Sequence, residues 1–397
     1  MRVIGLMSGT SYDAIDAAAA DLALDGDRLV LTPLGLVSAP YEEELREALS
    51  AALPPAPTTL RAVCELDTRI GQAFASLAVR ADRELCDGRA ELISSHGQTV
   101  YHWVADGRAY GTLQLGRPAW IAEATGHPVV SDLRSRDIAA GGQGAPLVSL
   151  VDTLWLRGRP GVCVALNLGG IANVTVVPDN DGSGAPLAYD TGPGNALIDA
   201  AVRHLTGGRL DHDEDGAMAA RGTVHGPLLG RLLAEPYYAR PAPKTTGKEL
   251  FHLPYLQAAL AGLGPLPADD VVATVTELTA ATVTRAVRSA GADEVIASGG
   301  GTRNPTLLAA LRRALGAVPL RTSDELGLPS AAKEAYAFAV LGFLTAHGLA
   351  GTVPACTGAR HPSVLGSITP GRHGLRLPPD AAAASRAAPA RLEISSP

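Results

Sequence analysis

Residues 166–195, LNLGGIANVTVVPDNDGSGAPLAYDTGPGN, contain the clearest pattern of strands and turns in the sequence. Two apolar runs flank a Gly-Gly turn, and an aspartate further on is followed at once by Thr-Gly-Pro-Gly-Asn. Glycines where strands end let backbone N–H groups come close to a phosphate. We therefore predict a phosphate-binding hairpin at Gly169, Gly170 and Asn173, with Asp190 beside it as a base.

The residues after Asp190 shape this prediction. Gly-Pro-Gly predicts a turn that leaves the Asp190 carboxylate at the end of a strand. A base must be ionised at neutral pH, so we expect hydrogen bonds or a nearby cation to hold the pKa of Asp190 low. The competing interpretation is an N-cap for the following helix, for which Asn195 is the better candidate.

The first half of the chain opens in the same way as the second. Apolar runs at 2–7, 12–24 and 28–38, joined by SGTS and Asp-Gly-Asp turns, predict an antiparallel meander followed by helices. Runs at 162–168, 171–177 and 187–189 repeat that pattern. The repeat predicts an α/β fold with mixed sheets in two duplicated lobes around an interlobe cleft. We place lobe I at 1–130 plus about 348–376, lobe II at 131–347, and a mobile, Ala/Pro-rich tail at 377–397.

The composition of the chain indicates which kinds of partner and which cellular location to expect. The 397 residues are 46% hydrophobic and 18% charged, and the net charge of −7 comes without a basic stripe. This argues against nucleic acid or an anionic membrane as the partner. The N-terminal apolar run breaks after Met7, and no run of about eighteen apolar residues occurs, so we expect a cytoplasmic protein. The four cysteines lie far apart, which is typical of reduced thiols.

Further candidate sites lie in glycine-rich or charged segments. The hairpin GLMSGTSYDAID at 5–16 offers backbone N–H groups to phosphates, and Asp13 or Asp16 could hold a hydrated Mg²⁺. SGGGTRNP at 298–305 follows a predicted strand, and three glycines in a row favour close approach of an adenosine or phosphate. An ordinary hairpin turn is the competing interpretation for 5–16, and a flexible connection between strand and helix is the competing interpretation for 298–305.

The segment 133–145 reads as a long, irregular loop that is rich in Arg, Asp, Gln and Gly. Arg134 and Arg136 suit the capture of a carboxylate or phosphate, and a surface salt bridge is the competing interpretation. Pro329 predicts the start of the last long helix, which carries Glu334. Glu334 could contact a ligand, or it could belong with Lys333 to a polar, solvent-exposed face of that helix.

Eight segments in order together resemble the anhydro-N-acetylmuramic acid kinase family. They are GLMSGTSYDAID, SSHGQTVYHW, LQLGRPAWIAEATGHPVVSDLRSRDIAAGGQGAP, LNLGGIANVT, YDTGPGNALID, PKTTGKELF, SGGGTRNP and the Lys-Glu-Ala helix at 333–335. The resemblance implies ribonuclease-H-like lobes of the actin-like, sugar-kinase-like ATPase superfamily. It also implies that ATP, Mg²⁺ and water act on 1,6-anhydro-N-acetylmuramic acid in cell-wall recycling, giving N-acetylmuramic acid 6-phosphate and ADP.

The resemblance gives each candidate a role, with Asp190 as the base on water. Nucleotide binding is assigned to Gly9, Thr10, Ser11, Tyr12, Asp13, Ala14, Ile15, Asp16, Gly169, Gly170, Asn173, Gly299, Gly300 and Gly301. Sugar binding is assigned to His96, Gln98, Arg134, Arg136, Asp137, Gly192, Asn195 and Glu334, with Arg134 or Arg136 for the lactyl carboxylate. Asp13 and Asp16 would hold Mg²⁺ through water, and we expect a homodimer.

One position departs from the family's pattern. Ala14 stands where the family's hairpin usually has glycine, and it would be strained by about 1 kcal/mol if that position had a positive φ. In a β conformation, alanine is harmless there.

Three other functions of proteins with related folds would make different demands on the sequence. An ordinary sugar or hydroxy-acid kinase would need no water at C1. A nucleotide-driven chaperone or filament protein would need an added peptide-binding domain or polymer surfaces. A metal-dependent carbamoyltransferase would need an HxxxH pair, and the ten histidines form none.

Overall fold

The computed structural model describes residues 1–9, 12–54, 56–179, 184–247, 249–375 and 388–395. The chain divides into two compact units. Unit 1 comprises Met1–Trp155 and Ala332–Pro397, and unit 2 comprises Leu156–Ala331.

The strands are β1 Arg2–Ser8, β2 Ala14–Asp25, β3 Arg28–Pro40, β4 Leu92–Ala105, β5 Arg108–Leu115, β6 Val129–Ser131, β7 Cys163–Leu168, β8 Ile171–Val177, β9 Leu187–Pro193, β10 Glu294–Ser298, β11 Leu320–Thr322, β12 Ser367–Thr369 and β13 Arg391–Ile394. The helices are α1 Glu43–Ala52, α2 Leu60–Cys86, α3 Pro118–Thr125, α4 Ser135–Ala139, α5 Ser149–Leu156, α6 Ala196–Leu205, α7 Ala217–Arg221, α8 Gly226–Leu233, α9 Leu253–Leu260, α10 Ala268–Ser289, α11 Pro305–Leu315, α12 Lys333–Ala346 and α13 Pro354–Thr357. Within these described ranges, no helix has the length and apolar character that a membrane span requires.

The predicted meander is present in unit 1. β1, β2 and β3 pair antiparallel, and Gly26, at φ +61°, allows the tight turn between β2 and β3. β1 then pairs parallel with β4, and β4 parallel with β6. The full order is β12-β6-β4-β1-β2-β3-β13, with β5 paired to β4.

Unit 2 repeats this topology. β7, β8 and β9 form an antiparallel meander, β7 pairs parallel with β10, and β10 parallel with β11. The order β9-β8-β7-β10-β11 therefore matches β3-β2-β1-β4-β6 strand for strand. This confirms the predicted duplicated α/β fold with mixed sheets.

Helices cover both faces of the unit 1 sheet. Ile4 and Leu6 of β1 belong to an apolar core with Phe74 of α2. Successive side chains of a strand point to opposite faces, so Gly5 faces the other way. There it lies against α12, where a Cβ on Gly5 would overlap the Ala335 carbonyl oxygen and lie 2.6 Å from Ala339 N. The missing side chain at position 5 lets α12 pack onto the centre of the sheet.

Replacing Gly5 with alanine should therefore destabilise the protein. Both obstructing atoms belong to the helix backbone and cannot rotate away, so we expect a loss of about 3 kcal/mol in the free energy of unfolding. Gly111→Ala is the matched control, because its Cβ would meet only Trp103 at 3.7 Å. That control should be unchanged or up to about 1 kcal/mol more stable in urea unfolding. Equal stabilities of the two variants would contradict the packing argument.

Several predicted bounds need correction. β4 does not end before His96 but continues to Ala105, and β9 continues past Asp190 to Pro193. The predicted loop 133–145 contains the short helix α4. The last long helix begins at Lys333 rather than at Pro329.

The units also differ from the predicted lobes. Residues 131–155 and 332–347, which the sequence places in lobe II, belong to unit 1. The predicted tail at 377–397 includes β13, which pairs parallel with β3, and Glu393 accepts a hydrogen bond from Arg28 (3.1 Å). Residues 377–387, 396 and 397 of that tail lie outside the described residues.

Candidate active site

Asp190 lies within β9 of unit 2, opposite Asn173 of β8. The pairing register shifts here: Asn173 pairs with Asp190 and Ala172 with Gly192, so Thr191 is the extra residue of a β-bulge. The Thr191 hydroxyl donates to the Ala172 carbonyl oxygen (3.2 Å). Bulges often re-aim side chains next to functional sites. The sequence predicts a turn after Asp190, whereas the strand continues through a bulge to Pro193.

The Asp190 carboxylate is held through one oxygen. Its Oδ2 accepts from the Thr245 hydroxyl (2.8 Å) and from Thr246 N (2.9 Å). Burial nevertheless raises the pKa of Asp190 to about 6, and the like charge of Glu249 acts in the same direction. The prediction of a lowered pKa was wrong, because two hydrogen bonds offset only part of the cost of burying the charge.

The main chain of Asp190 is anchored as well. Its N–H donates to the Lys244 carbonyl oxygen (3.0 Å), and its carbonyl oxygen accepts from the Tyr237 hydroxyl (2.7 Å). Lys244 Nζ in turn donates to the carbonyl oxygens of Tyr237 and Tyr238 (3.2 and 3.1 Å). Strand β9, the 3-10 helix Pro236–Ala239 and residues 244–246 therefore form one connected framework around Asp190.

The predicted phosphate-binding glycines of unit 2 converge where β7 and β10 end. The Gly169 carbonyl oxygen accepts from Asn195 N, and that of Gly170 accepts from Gly194 N (both 2.9 Å). A Cβ at Gly299 would lie 2.5 Å from Asn167 Oδ1, and one at Gly301 would lie 2.7 Å from Leu168 Cβ. Gly300 begins a 3-10 helix. Close packing at Gly299 and Gly301 thus explains the glycine run, whereas a flexible connection would not require glycine at these positions.

Two predicted sugar-binding residues of unit 2 have structural contacts. Asn195 occupies the N-cap position of α6, but its amide donates to the Leu168 carbonyl oxygen (3.2 Å) and makes no cap bond. Gly192 is buried at φ +151°, and a Cβ there would lie 2.9 Å from Tyr238. Both residues follow the bulge at Thr191, and their contacts fix the backbone there.

The β1–β2 hairpin of unit 1 resolves the question of Ala14. Ala14 is the first residue of β2, pairs with Pro40 and has no positive φ, so it is harmless. The positive φ of this hairpin, +45°, belongs to Tyr12, whose N–H donates to the Gly9 carbonyl oxygen (3.2 Å). Ile15 is buried in the core. Thr10 and Ser11 lie outside the described residues.

Gln98 ties this hairpin to β4. Its Oε1 lies 2.8 Å from the Ser8 hydroxyl and accepts from the Tyr41 hydroxyl (3.2 Å). Its Nε2 donates to the carbonyl oxygens of Gly9 (3.1 Å) and Thr99 (3.2 Å). The buried amide therefore uses both of its ends within the protein.

His96, Arg134 and Glu334 come together in unit 1. Arg134 Nε donates to His96 Nε2 (2.9 Å), and His96 Nδ1 lies 2.8 Å from the Gly97 carbonyl oxygen, which assigns the ring proton to Nδ1. Burial, and then the charge of Arg134, hold the pKa of His96 well below its usual range. Burial lowers the pKa of Arg134 to about 10, opposed by the charge of Glu334. A neutral histidine thus orients a guanidinium whose charge is stabilised by the charge of Glu334.

Two other residues of the segment 133–145, Asp137 and Arg136, have surroundings that differ from those of Arg134. Asp137 is fully buried, and its carboxylate accepts from Gly144 N and from the Thr357 hydroxyl (both 2.8 Å). It holds the glycine-rich backbone in place. Arg136 is exposed on α4.

The predicted magnesium ligands differ in availability. Asp13 is exposed, and its carboxylate makes no hydrogen bond to another described residue. Asp16 accepts from the Ser38 hydroxyl. Within the described residues, no three His, Cys, Asp or Glu side chains are grouped as a metal cage. A nucleotide-bound Mg²⁺ takes most of its ligands from water and phosphate and needs only one or two carboxylates. The exposed carboxylate of Asp13 fits that requirement.

Sequence reasoning missed two sets of residues. Lys244, Thr245 and Thr246 belong to the PKTTGKELF segment, which the resemblance includes but to which it gave no role. Lys333 is buried, not on a surface face, and its Nζ lies 2.6 Å from Asp152 Oδ1. A lysine inside an otherwise apolar helix was the available signal for a buried ion pair.

Comparisons with known proteins identify the family of this chain. The family model described as anhydro-N-acetylmuramic acid kinase matches residues 1–371. The anhydro-N-acetylmuramic acid kinase of Streptomyces avermitilis is 76% identical over 96% of this chain and 97% of its own, and that of Rhodococcus erythropolis is 65% identical over 94% and 96%. Among solved structures, the activator of the 2-hydroxyisocaproyl-CoA dehydratase from Clostridium difficile aligns at a TM-score of 0.41, with 12% identity over 86% of this chain and 94% of its own. On the family match and the two relatives, the chain belongs to the anhydro-N-acetylmuramic acid kinase family.

Proposed function

We propose that this protein opens the 1,6-anhydro bridge of 1,6-anhydro-N-acetylmuramic acid with water and phosphorylates O6 with ATP, giving N-acetylmuramic acid 6-phosphate and ADP in peptidoglycan recycling. Family membership makes it a sugar kinase. The observation that carries the proposal is Asp190, a carboxylate held through one oxygen with a pKa of about 6. A base with that pKa is ionised at neutral pH and still accepts a proton readily.

In the proposed reaction, Asp190 takes a proton from water while the water oxygen bonds to the anomeric C1. The C1–O6 bond breaks, and its electron pair stays on O6. O6 then bonds to the γ-phosphorus, and the bond from phosphorus to the β,γ-bridging oxygen breaks as ADP leaves. One base therefore serves both bond changes, because the opened bridge supplies the nucleophile for phosphoryl transfer.

The glycine-rich segments of each unit would receive the nucleotide. In unit 1 these are Gly9 and the hairpin through Asp16, whose position Gln98 fixes. In unit 2 they are the turn at Gly169 and Gly170 and the run Gly299 to Gly301, with Asn173 on the adjoining strand. Mg²⁺, held through water by Asp13, would neutralise charge on the phosphates.

The sugar would meet the His96–Arg134–Glu334 group. Arg134 suits the lactyl carboxylate, since its guanidinium is charged, partly buried and oriented by His96. Glu334 suits a sugar hydroxyl. Gln98 and Asp137 act through the backbone they hold, because their polar atoms are already bonded. We expect the enzyme to act in the cytoplasm as a homodimer. Sedimentation equilibrium would measure its oligomeric state.

Mass spectrometry of 1,6-anhydro-N-acetylmuramic acid incubated with the protein and Mg-ATP tests this function. We expect the product to gain the mass of one water and one phosphoryl group. A gain of the phosphoryl group alone would favour the ordinary sugar kinase. An unchanged sugar would contradict both.

A further inference from the structure

We infer that Asp190 Oδ1 is the oxygen that takes the proton from water, and that Thr245 and Thr246 are positioning residues that present it. The inference rests on the proposed function, in which Asp190 is the base. It gives a role to residues 244–246, which lie 54 to 56 positions further along the chain and have none in the reaction as proposed above.

The two carboxylate oxygens of Asp190 are not equivalent. Oδ2 accepts both hydrogen bonds, from the Thr245 hydroxyl and from Thr246 N. Among the residues that the structure describes, none donates to Oδ1. A carboxylate oxygen that accepts two hydrogen bonds has fewer lone-pair sites left for a reacting proton. Oδ1 is therefore the oxygen available to water.

The segment that supplies the donors is itself fixed. Lys244 accepts from Asp190 N through its carbonyl oxygen, and its ammonium group lies 4.7 Å from the centre of the Tyr237 ring. The Tyr237 hydroxyl donates a hydrogen bond to the Asp190 carbonyl oxygen. These contacts hold the side-chain donors and the main chain of Asp190 in one framework, so the carboxylate cannot easily turn about its own axis.

The charged and titratable groups around Asp190 favour this arrangement. Glu249 is exposed, and its negative charge opposes ionisation of Asp190. The Lys244 ammonium is directed at carbonyl oxygens of Tyr237 and Tyr238. Burial raises the pKa of Tyr189 and of Tyr237, so both stay neutral hydroxyls at the pH of the reaction. The Thr245 and Thr246 donors are thus the described groups that directly stabilise the charged carboxylate.

The step assigned to Oδ1 is a simple proton transfer. A water O–H bond breaks, its proton bonds to Oδ1, and the electron pair forms the bond from the water oxygen to C1. The C1–O6 electron pair moves to O6, and no oxidant or additional reactant is needed.

Thr245→Val and Thr245→Ser form a matched pair that tests the inference. Valine has the shape of threonine but no hydroxyl, whereas serine keeps the hydroxyl. The measurement is kcat for phosphorylated sugar from pH 5 to pH 8.5, together with KM for the sugar. In the wild type, the acid limb should lie near pH 6, where Asp190 titrates. Thr245→Val should move that limb up by about one pH unit, because the charged carboxylate loses a hydrogen bond.

In Thr245→Val, kcat should fall roughly ninefold at pH 5 and about twofold at pH 7, with almost no loss at pH 8.5 and little change in KM. Thr245→Ser should keep the limb near pH 6. A limb that stays in place in Thr245→Val, or a loss of kcat by the same factor at every pH, would overturn the inference. A wild type that forms no phosphorylated sugar would instead overturn the proposed function.

Discussion

Asp190→Asn should lower kcat by roughly 10³–10⁴-fold while the binding of ATP and sugar stays within a few-fold of wild type. The asparagine oxygen can still accept from the Thr245 hydroxyl and Thr246 N, so the local framework is kept. What is lost is the lone pair that takes the proton from water. Steady-state kinetics and calorimetric titration of both ligands would measure the two effects separately.

The same substitution should make the protein more stable at neutral pH. The pKa of Asp190 is about 6 when folded against an ordinary 3.8, so the folded state binds the proton more tightly. Stability contributed by the protonated group is fully present below about pH 4 and is lost as the pH rises through 6. Asp190→Asn should therefore gain about 1–3 kcal/mol at pH 7–8, and the gain should vanish at pH 4.

An exposed acidic residue of the same unit is the matched control. Asp211 is exposed and pairs with Arg203 at the surface, and Asp211→Asn should change the free energy of unfolding by less than about 0.5 kcal/mol. Near-normal kcat in Asp190→Asn would remove Asp190 as the base. A loss of kcat that is explained by weaker ATP or sugar binding would do the same.

Lys333→Met should destabilise the protein by about 3–5 kcal/mol. Lys333 and Asp152 form an ion pair at 2.6 Å between α12 and α5, and both side chains are almost completely buried. The ammonium also lies 5.9 Å from the centre of the Trp155 ring. Removing the lysine leaves a carboxylate inside the protein without its counter-charge. Urea unfolding at pH 7 would give the free energy directly.

The double variant Lys333→Met/Asp152→Leu separates charge from packing. It removes both charges, so most of the lost stability should return. Lys333→Met should also raise KM for the sugar, because the ion pair fixes the first turn of α12, where Glu334 lies. A Lys333→Met protein within about 1 kcal/mol of wild type would show that the pair contributes little.

The sequence predicts the framework of this protein well because the framework depends on local patterns. The Asp-Gly-Asp turn and the alternating apolar runs determine the β1–β2–β3 meander, and the same pattern recurs in β7–β8–β9. Glycine runs mark where the backbones approach one another. These features are encoded within a few residues of where they act.

The environment of Asp190 depends on distant residues and could not be predicted in the same way. The donors to its carboxylate come from Thr245 and Thr246, and the bulge at Thr191 depends on pairing with β8. Burial, which raises the pKa of Asp190, is a property of the folded unit. Lys333 likewise resembles a surface residue until Asp152 is brought to it by packing.

The proposed mechanism requires that water, activated by Asp190, attacks C1 while O6 receives the phosphoryl group. The reaction run in ¹⁸O-water with Mg-ATP tests it most directly, with the position of the label read by mass spectrometry of product fragments. We expect one ¹⁸O at C1 of the sugar phosphate and none in the transferred phosphoryl group. A product without label at C1, or with label in the phosphoryl group, would contradict it.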